Sequence, residues 1–94
     1  MKAYLITGES GTYDDWRIWN VAVSFDKELV NQFRDQLNEF LSDNNISKDI
    51  YDTCYFEDDK IPNNPEDRGL KENWNNRGIE YKIKAVKVLD KELQ

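Results

Sequence analysis

Histidine is absent from this sequence. With it go the commonest general acid/base, the commonest side-chain metal ligand and the usual partner of a nucleophilic serine or cysteine. Cysteine is nearly absent as well: Cys54 stands alone, so no disulfide forms within the chain and a structural zinc site has no ligand set. Cys54 lies in an apolar-periodic stretch with no base beside it, which reads as a buried, inert thiol. No apolar run approaches membrane-spanning length, and the opening run Ala3 to Thr7 is shorter than a signal-peptide core before Gly8 and Glu9 end it. These gaps lead us to expect a non-enzymatic protein of the reducing cytoplasm that needs no cofactor and does not engage a membrane.

What is present suits one small folded unit. Ninety-four residues supply a single modest core, so one domain spanning 1–94 is expected. Three Trp, five Tyr and four Phe bury large areas and offer polar edges for recognition. Charged residues make up 34% of the chain, but they are interleaved with apolar ones at regular spacing, which argues against disorder. The net charge of −6 is unevenly spread. Residues 1–67 hold 15 acids against 6 bases, and residues 68–94 hold 4 acids against 7. Acidity over the first two-thirds repels phosphate backbones, so direct nucleic-acid binding is not expected and a partner with a basic surface is. Acidity also serves plain solubility.

Hydrophobic periodicity predicts the elements. Ala3 to Thr7 reads as a strand, and Gly8 through Asp15 as the loop of a hairpin. Trp16 to Phe25 reads as a second strand with Trp19, Val21, Val23 and Phe25 turned inward. Asp26 is placed to cap a helix from Lys27, with Phe25 and Val30 at the spacing of a hydrophobic staple. Leu29, Val30, Phe33, Leu37, Phe40 and Leu41 form its apolar stripe, and Ser42-Asp43-Asn44-Asn45 stops it, with Asn able to adopt the left-handed conformation. Residues 46–56 read as a short helix capped by Ser47, although Tyr51 to Phe56 also suits a strand. A turn of helix is expected from Pro65 towards Trp74. Ile79, Tyr81, Ile83 and Ala85, alternating with Glu80, Lys82 and Lys84, open a last strand that runs to Leu89. The expected fold is α+β: a three-stranded antiparallel sheet of order 2-1-3 with one main helix packed on one face, ββαβ plus short helical segments.

Several groupings are candidates for a site. Tyr13, Asp14, Asp15 and Trp16 surround the first hairpin, and large rings beside carboxylates are what interfaces use as anchors with steering charge. Trp19, sharing a face with Val21 and Val23, belongs to the core. Glu28, Asp35 and Glu39, joined by Asp43, fall near one another on the helix, and such a row can imitate DNA phosphates and occupy a basic channel. A solvated helix face accounts for the same residues. Glu57, Asp58 and Asp59 form an acidic loop that lacks the alternating ligands and central Gly of a calcium loop, so no metal site is assigned. Gly8-Glu9-Ser10-Gly11 lacks the ending of a phosphate-binding loop and is read as a hairpin turn. Arg77, Lys82, Lys84 and Lys87 offer a basic stripe that doubles as edge protection.

The sequence Tyr4-Leu5-Ile6-Thr7-Gly8, followed by Tyr13-Asp14-Asp15-Trp16 and the passage Val21 to Val30, resembles small uncharacterised proteins of bacteria and their phages. Those open with a strand, a Gly-Tyr-Ser-Asp-aromatic hairpin, a second strand and a helix. Here Asp14 replaces the Ser and the loop is longer, and the resemblance covers the first 40 or so residues without implying any functional residue. More broadly, a tiny acidic chain without catalytic apparatus looks like the accessory proteins phages use against host defences, including anti-CRISPR inhibitors. That resemblance implies a protein-binding inhibitory module in the host cytoplasm whose acidic surface blocks a basic nucleic-acid-binding channel. A small-ligand or divalent-metal-binding domain and a homo-oligomeric structural protein are the alternative expectations.

Overall fold

The apolar run near the N-terminus becomes the central strand of a sheet, and the two other strands pair on either side of it. In the computed structural model, which describes residues 1–11, 16–44, 46–47, 63–73 and 78–89, the elements are β1 (Lys2–Ser10), β2 (Arg17–Ser24), α1 (Lys27–Asp43), the single-turn α2 (Leu70–Asn73) and β3 (Ile79–Lys87). The sheet has order β2-β1-β3 and both pairings are antiparallel. With α1 against one face, this is the α+β architecture expected from the periodicity.

Register decides which side chains meet. Across the sheet, Tyr4 lies between Ser24 and Ala85, Ile6 between Ala22 and Ile83, Gly8 between Trp19 and Tyr81, and Ser10 between Arg17 and Ile79. These rows face α1. The core gathers Ile6, Trp19, Ile79 and Tyr81 from the sheet, Val30, Leu37 and Leu41 from α1, and Ile46 and Leu70 from the connections.

Three expectations about the hairpin and β2 need correction. Gly8, Glu9 and Ser10, read as loop, continue β1 and pair with Trp19, Ile18 and Arg17; the turn residue is Gly11, at φ 87°. Gly8 is suited to this place in the strand because the Trp19 ring occupies the space a side chain would fill, so that a Cβ there would collide with Trp19 Cε2. Val23 and Phe25, expected inward, are 60% and 59% exposed. The reason is a register shift of β2 between Ile6 and Thr7 of its partner, which leaves Val21 as an extra residue and puts Val23 opposite Leu5, on the face of the sheet away from α1.

On α1, Asp26 caps as expected, its carboxylate accepting from the N–H groups of Glu28 and Leu29 at 3.1 and 3.2 Å. The apolar stripe is narrower than predicted, since Leu29 is 54% exposed while Val30, Leu37 and Leu41 are buried. Asn44 ends the helix, but at φ −101°, not in the left-handed region. Its backbone N–H and its side-chain Nδ2 both donate to the Phe40 carbonyl, at 3.1 and 2.9 Å, which closes the last turn without a backbone reversal.

Of the ambiguous stretch 46–56 only Ile46 and Ser47 are described. Ile46 is buried, and Ser47 makes a parallel bridge with Ile79; the helix that Ser47 is expected to cap lies outside the described residues. Cys54 lies outside the described residues. The helical turn predicted from Pro65 begins later, at Leu70. Before it, the Asn64 side chain accepts from the Glu66 N–H at 3.0 Å and the Asn64 carbonyl from the Asp67 N–H at 3.1 Å, a turn that consumes the residues needed for a longer helix.

Substituting Gly8→Ala is expected to lower the unfolding free energy by about 1–3 kcal/mol, because Trp19 must shift within a packed core. Urea denaturation followed by tryptophan fluorescence measures this, and an unchanged midpoint would mean that the ring is not pinned over β1.

Candidate functional site

The side chains of α1 sort into four faces by helical spacing. Val30, Leu37 and Leu41 are buried against the sheet. Leu29 and Phe33, with Val23, Ser24 and Ala22 of β2, line a small apolar groove of about 180 Å³. On the flank towards β3, Arg34, Asn38 and Ser42 line a larger polar groove of about 550 Å³ together with Ile79, Tyr81 and Ile83. Opposite the core, Glu28, Asp35, Glu39 and Asp43 are all exposed. At about 1.5 Å of rise per residue, Asp35, Glu39 and Asp43 follow one another at roughly 6 Å along the axis, and Glu28 lies about 10 Å before them. Asp35 accepts from Arg34 Nε at 2.9 Å, an exposed pair that contributes little to stability.

The helix therefore brings together three of the residues singled out from the sequence: Glu28, Asp35 and Glu39. Trp16, just before β2, is 48% exposed and available to a partner. Tyr13, Asp14 and Asp15 of the hairpin, Glu57, Asp58 and Asp59 of the acidic loop, and Arg77 of the basic stripe lie outside the described residues. Lys82 of that stripe pairs with Glu9 at 3.0 Å and Glu80 at 3.9 Å on the face of the sheet away from α1. The hydrogen bond to Glu9, reinforced by the charges of Glu80 and Glu9, raises the Lys82 ammonium above its ordinary value.

The strongest polar cluster among the described residues is internal and was not anticipated. Asp67 is 3% exposed. Its carboxylate accepts from Trp19 Nε1 at 2.9 and 3.2 Å, from the Tyr81 hydroxyl at 2.5 Å and from the Gly69 N–H at 3.2 Å. Short contacts of this kind are typical of charge-assisted bonds and offset the desolvation of the carboxylate. Burial, then the hydrogen bond and charge of Asp67, push the Tyr81 hydroxyl well above its ordinary value of 10.0. Tyr81 thus remains a proton donor at every physiological pH. Of its three side chains only Tyr81 lines one of the grooves described above, the polar one beside α1, and the polar groups of all three are hydrogen-bonded within the cluster, so it braces the fold. A signal for it does exist in the sequence: Asp67 stands two residues before Gly69, the spacing at which an Asp side chain accepts from a backbone N–H in a turn. Nothing in the spacing connects it to Trp19, 48 residues earlier.

Among the described residues, no group of three or more Cys, Asp or Glu side chains is arranged to hold a metal ion, and no helix is long and apolar enough to cross a membrane. Compared with known proteins, the chain matches no family model, no curated protein and no solved structure.

Asp67→Ala leaves two buried donors unpaired and is expected to destabilise the fold by about 3 kcal/mol or more. A pH series on the native chain checks the Tyr81 shift. Unfolded Tyr81 ionises near 10.0 whereas the folded one stays protonated. The stability this group contributes is therefore complete below that pH and declines as pH rises above it. Tyr81→Phe is expected to remove that alkaline dependence, and one fewer tyrosine should then titrate in step with unfolding at 295 nm.

Proposed function

We propose that this protein is a non-enzymatic binding module whose acidic helix face engages a basic surface on a partner protein. The observation that carries the reading is the exposed row Glu28, Asp35, Glu39 and Asp43 on the side of α1 opposite its buried stripe. The core requires nothing of these residues, and α1 is held rigidly by Val30, Leu37 and Leu41. A rigid carboxylate row loses little conformational entropy on binding, and its field steers a basic partner into place. Trp16 adds an exposed aromatic side chain of the type that anchors interfaces.

A partner that normally binds nucleic acid fits this charge best, because the row replaces a run of phosphates in its basic channel. Inhibition by occupancy, the mode of phage anti-defence proteins, follows from that chemistry. The absence of histidine and the single cysteine support a role that needs no proton shuttle or nucleophile.

Self-association is a second reading, favoured by the exposed Val23, Phe25 and Leu29 close to the outer edge of β2. Apolar side chains grouped beside an unpaired strand are a route to homo-oligomers.

Capture of partners on the immobilised protein, over rising salt, discriminates these readings. The acidic-face reading expects a retained protein that elutes as salt screens the charges and is lost with the triple variant Glu28→Lys, Asp35→Lys, Glu39→Lys. Retention indifferent to both salt and the triple variant would sink it. Light scattering of the purified chain reads out the second possibility directly, with a mass above that of the monomer as its signature.

A further inference from the structure

We propose that this chain pairs with a second copy of itself by reciprocal insertion, the Phe25 ring of each copy entering the apolar groove between β2 and α1 of the other. This contact rests on the self-association reading and gives it a defined ring and a defined hole.

The sequence sets the region apart. Residues 18–25 form the longest run without a charged side chain in a chain of which 34% is charged. Of the large apolar side chains exposed among the described residues, all but Met1 and Leu89 lie between Trp16 and Leu29. Val23 is turned out by the register shift of β2, and Phe25 stands between the end of that strand and the Asp26 cap of α1. With about half of each side chain accessible, this group offers on the order of 500 Å² of apolar surface, about the apolar share of the roughly 800 Å² that each partner of a stable pair buries.

Ring and hole are matched in size. The groove measures about 180 Å³, and apolar cavities of about 150 Å³ accommodate a benzene ring. Its lining runs from the buried Ile6 and Val30 to the exposed Val23 and Leu29, with Phe33 beside them. Ser24 is the one polar residue of that lining, and its hydroxyl already accepts from the Asp26 N–H at 3.1 Å, so a hydrocarbon ring can enter without stranding a polar group. Phe25 follows Ser24 directly, is 59% exposed and does not line the groove itself. An isologous pair requires each copy to carry both halves of the contact, so that one two-fold axis closes both. A ring adjoining a ring-sized hole meets that requirement.

Charge favours a second copy over a charged ligand. Among the described residues no Lys, Arg, Asp or Glu lines the groove, so neither a basic nor an acidic occupant finds a counter-ion there, whereas a second copy supplies an uncharged strand and a ring. Glu28, Asp35, Glu39 and Asp43 occupy a different face of α1, so a dimer formed here carries two such rows. At −6 per copy the two chains repel at long range, and screening by salt strengthens the pair. That response is the reverse of the one expected for a basic partner on the acidic row.

Sedimentation equilibrium of the full chain, over a range of protein and salt concentrations, tests the proposal. The expected result is a monomer–dimer equilibrium that tightens as salt rises. Phe25→Ala removes the ring and Leu29→Arg blocks the groove, and each should weaken dimerisation at least about tenfold. Both residues are exposed, so the unfolding midpoint of each variant at monomeric dilution verifies that the loss is not misfolding. Mixed together, the two variants should pair with each other more tightly than either pairs with itself, because the intact ring of one meets the intact groove of the other. A chain that stays monomeric overturns both this contact and the self-association reading. A dimer that survives Phe25→Ala, or a mixture that recovers nothing, overturns the contact and leaves self-association standing. A dimer that dissociates as salt rises also overturns it, and would set the acids of one copy on the lysines of the other.

Discussion

Asp67 is buried among two aromatic donors that come from opposite sides of the sheet, and much of the architecture follows from keeping that carboxylate satisfied. Trp19 belongs to β2 and Tyr81 to β3, which never touch as strands because β1 runs between them. They reach the same carboxylate because the β1 residue in their row is Gly8, over which the Trp19 ring lies. Gly69 closes on the other side, where a Cβ would approach Trp19 Cδ1 to 3.1 Å. Removing any member exposes another to an unpaired burial, and such groups are costly in a low-dielectric interior. The bond from the Gly69 N–H to Asp67 fixes the turn before α2 at the same time, so one carboxylate anchors β2, β3 and the 63–73 connection.

With that brace on the helix-facing side of the sheet, α1 need only cover the remainder of one face. It does so with a narrow stripe, which frees its other faces for different chemistry. The outward face carries acids; the flank towards β3 carries Arg34, Asn38 and Ser42; the flank towards β2 carries Leu29 and Phe33. The sheet in turn has two outer edges with unlike defences. A register irregularity disturbs β2, and lysines guard β3. The polarity noticed along the chain, acidic first and basic last, becomes a polarity in space between the outside of α1, with its row of acids, and β3, with its exposed Lys82, Lys84 and Lys87. This separation is what allows one small protein to present two electrostatically distinct surfaces.

How much could be read without coordinates depends on the range of the interaction concerned. The α1 cap at Asp26, the buried Val30, Leu37 and Leu41, and the strand order were legible because each rests on residues close in sequence or on the pairing rules of short connections. Glu28, Asp35 and Glu39 could be placed on a common face for the same reason: helical periodicity alone puts them there. The inward assignment of Val23 and Phe25 failed because a single bulge at Val21 reverses the alternation beyond it, and a two-residue period carries no mark of where it will slip. Gly8 was mistaken for loop because glycine ordinarily signals a turn, whereas here it makes room for a ring from the neighbouring strand.

By itself, then, the sequence determined the class of the protein: an α+β chain with an acidic, well-capped helix, a basic final strand, no histidine and a single cysteine. These are properties of composition and of local periodicity, set by interactions spanning a few residues. Tertiary structure alone decided that Asp67 would be internal and bonded to Trp19 and Tyr81, that Val23 would face out, and that Asn38 on α1 would accept from the Tyr81 N–H on β3. Each of those outcomes joins residues far apart in the chain, and such contacts depend on register and packing, which no local pattern encodes.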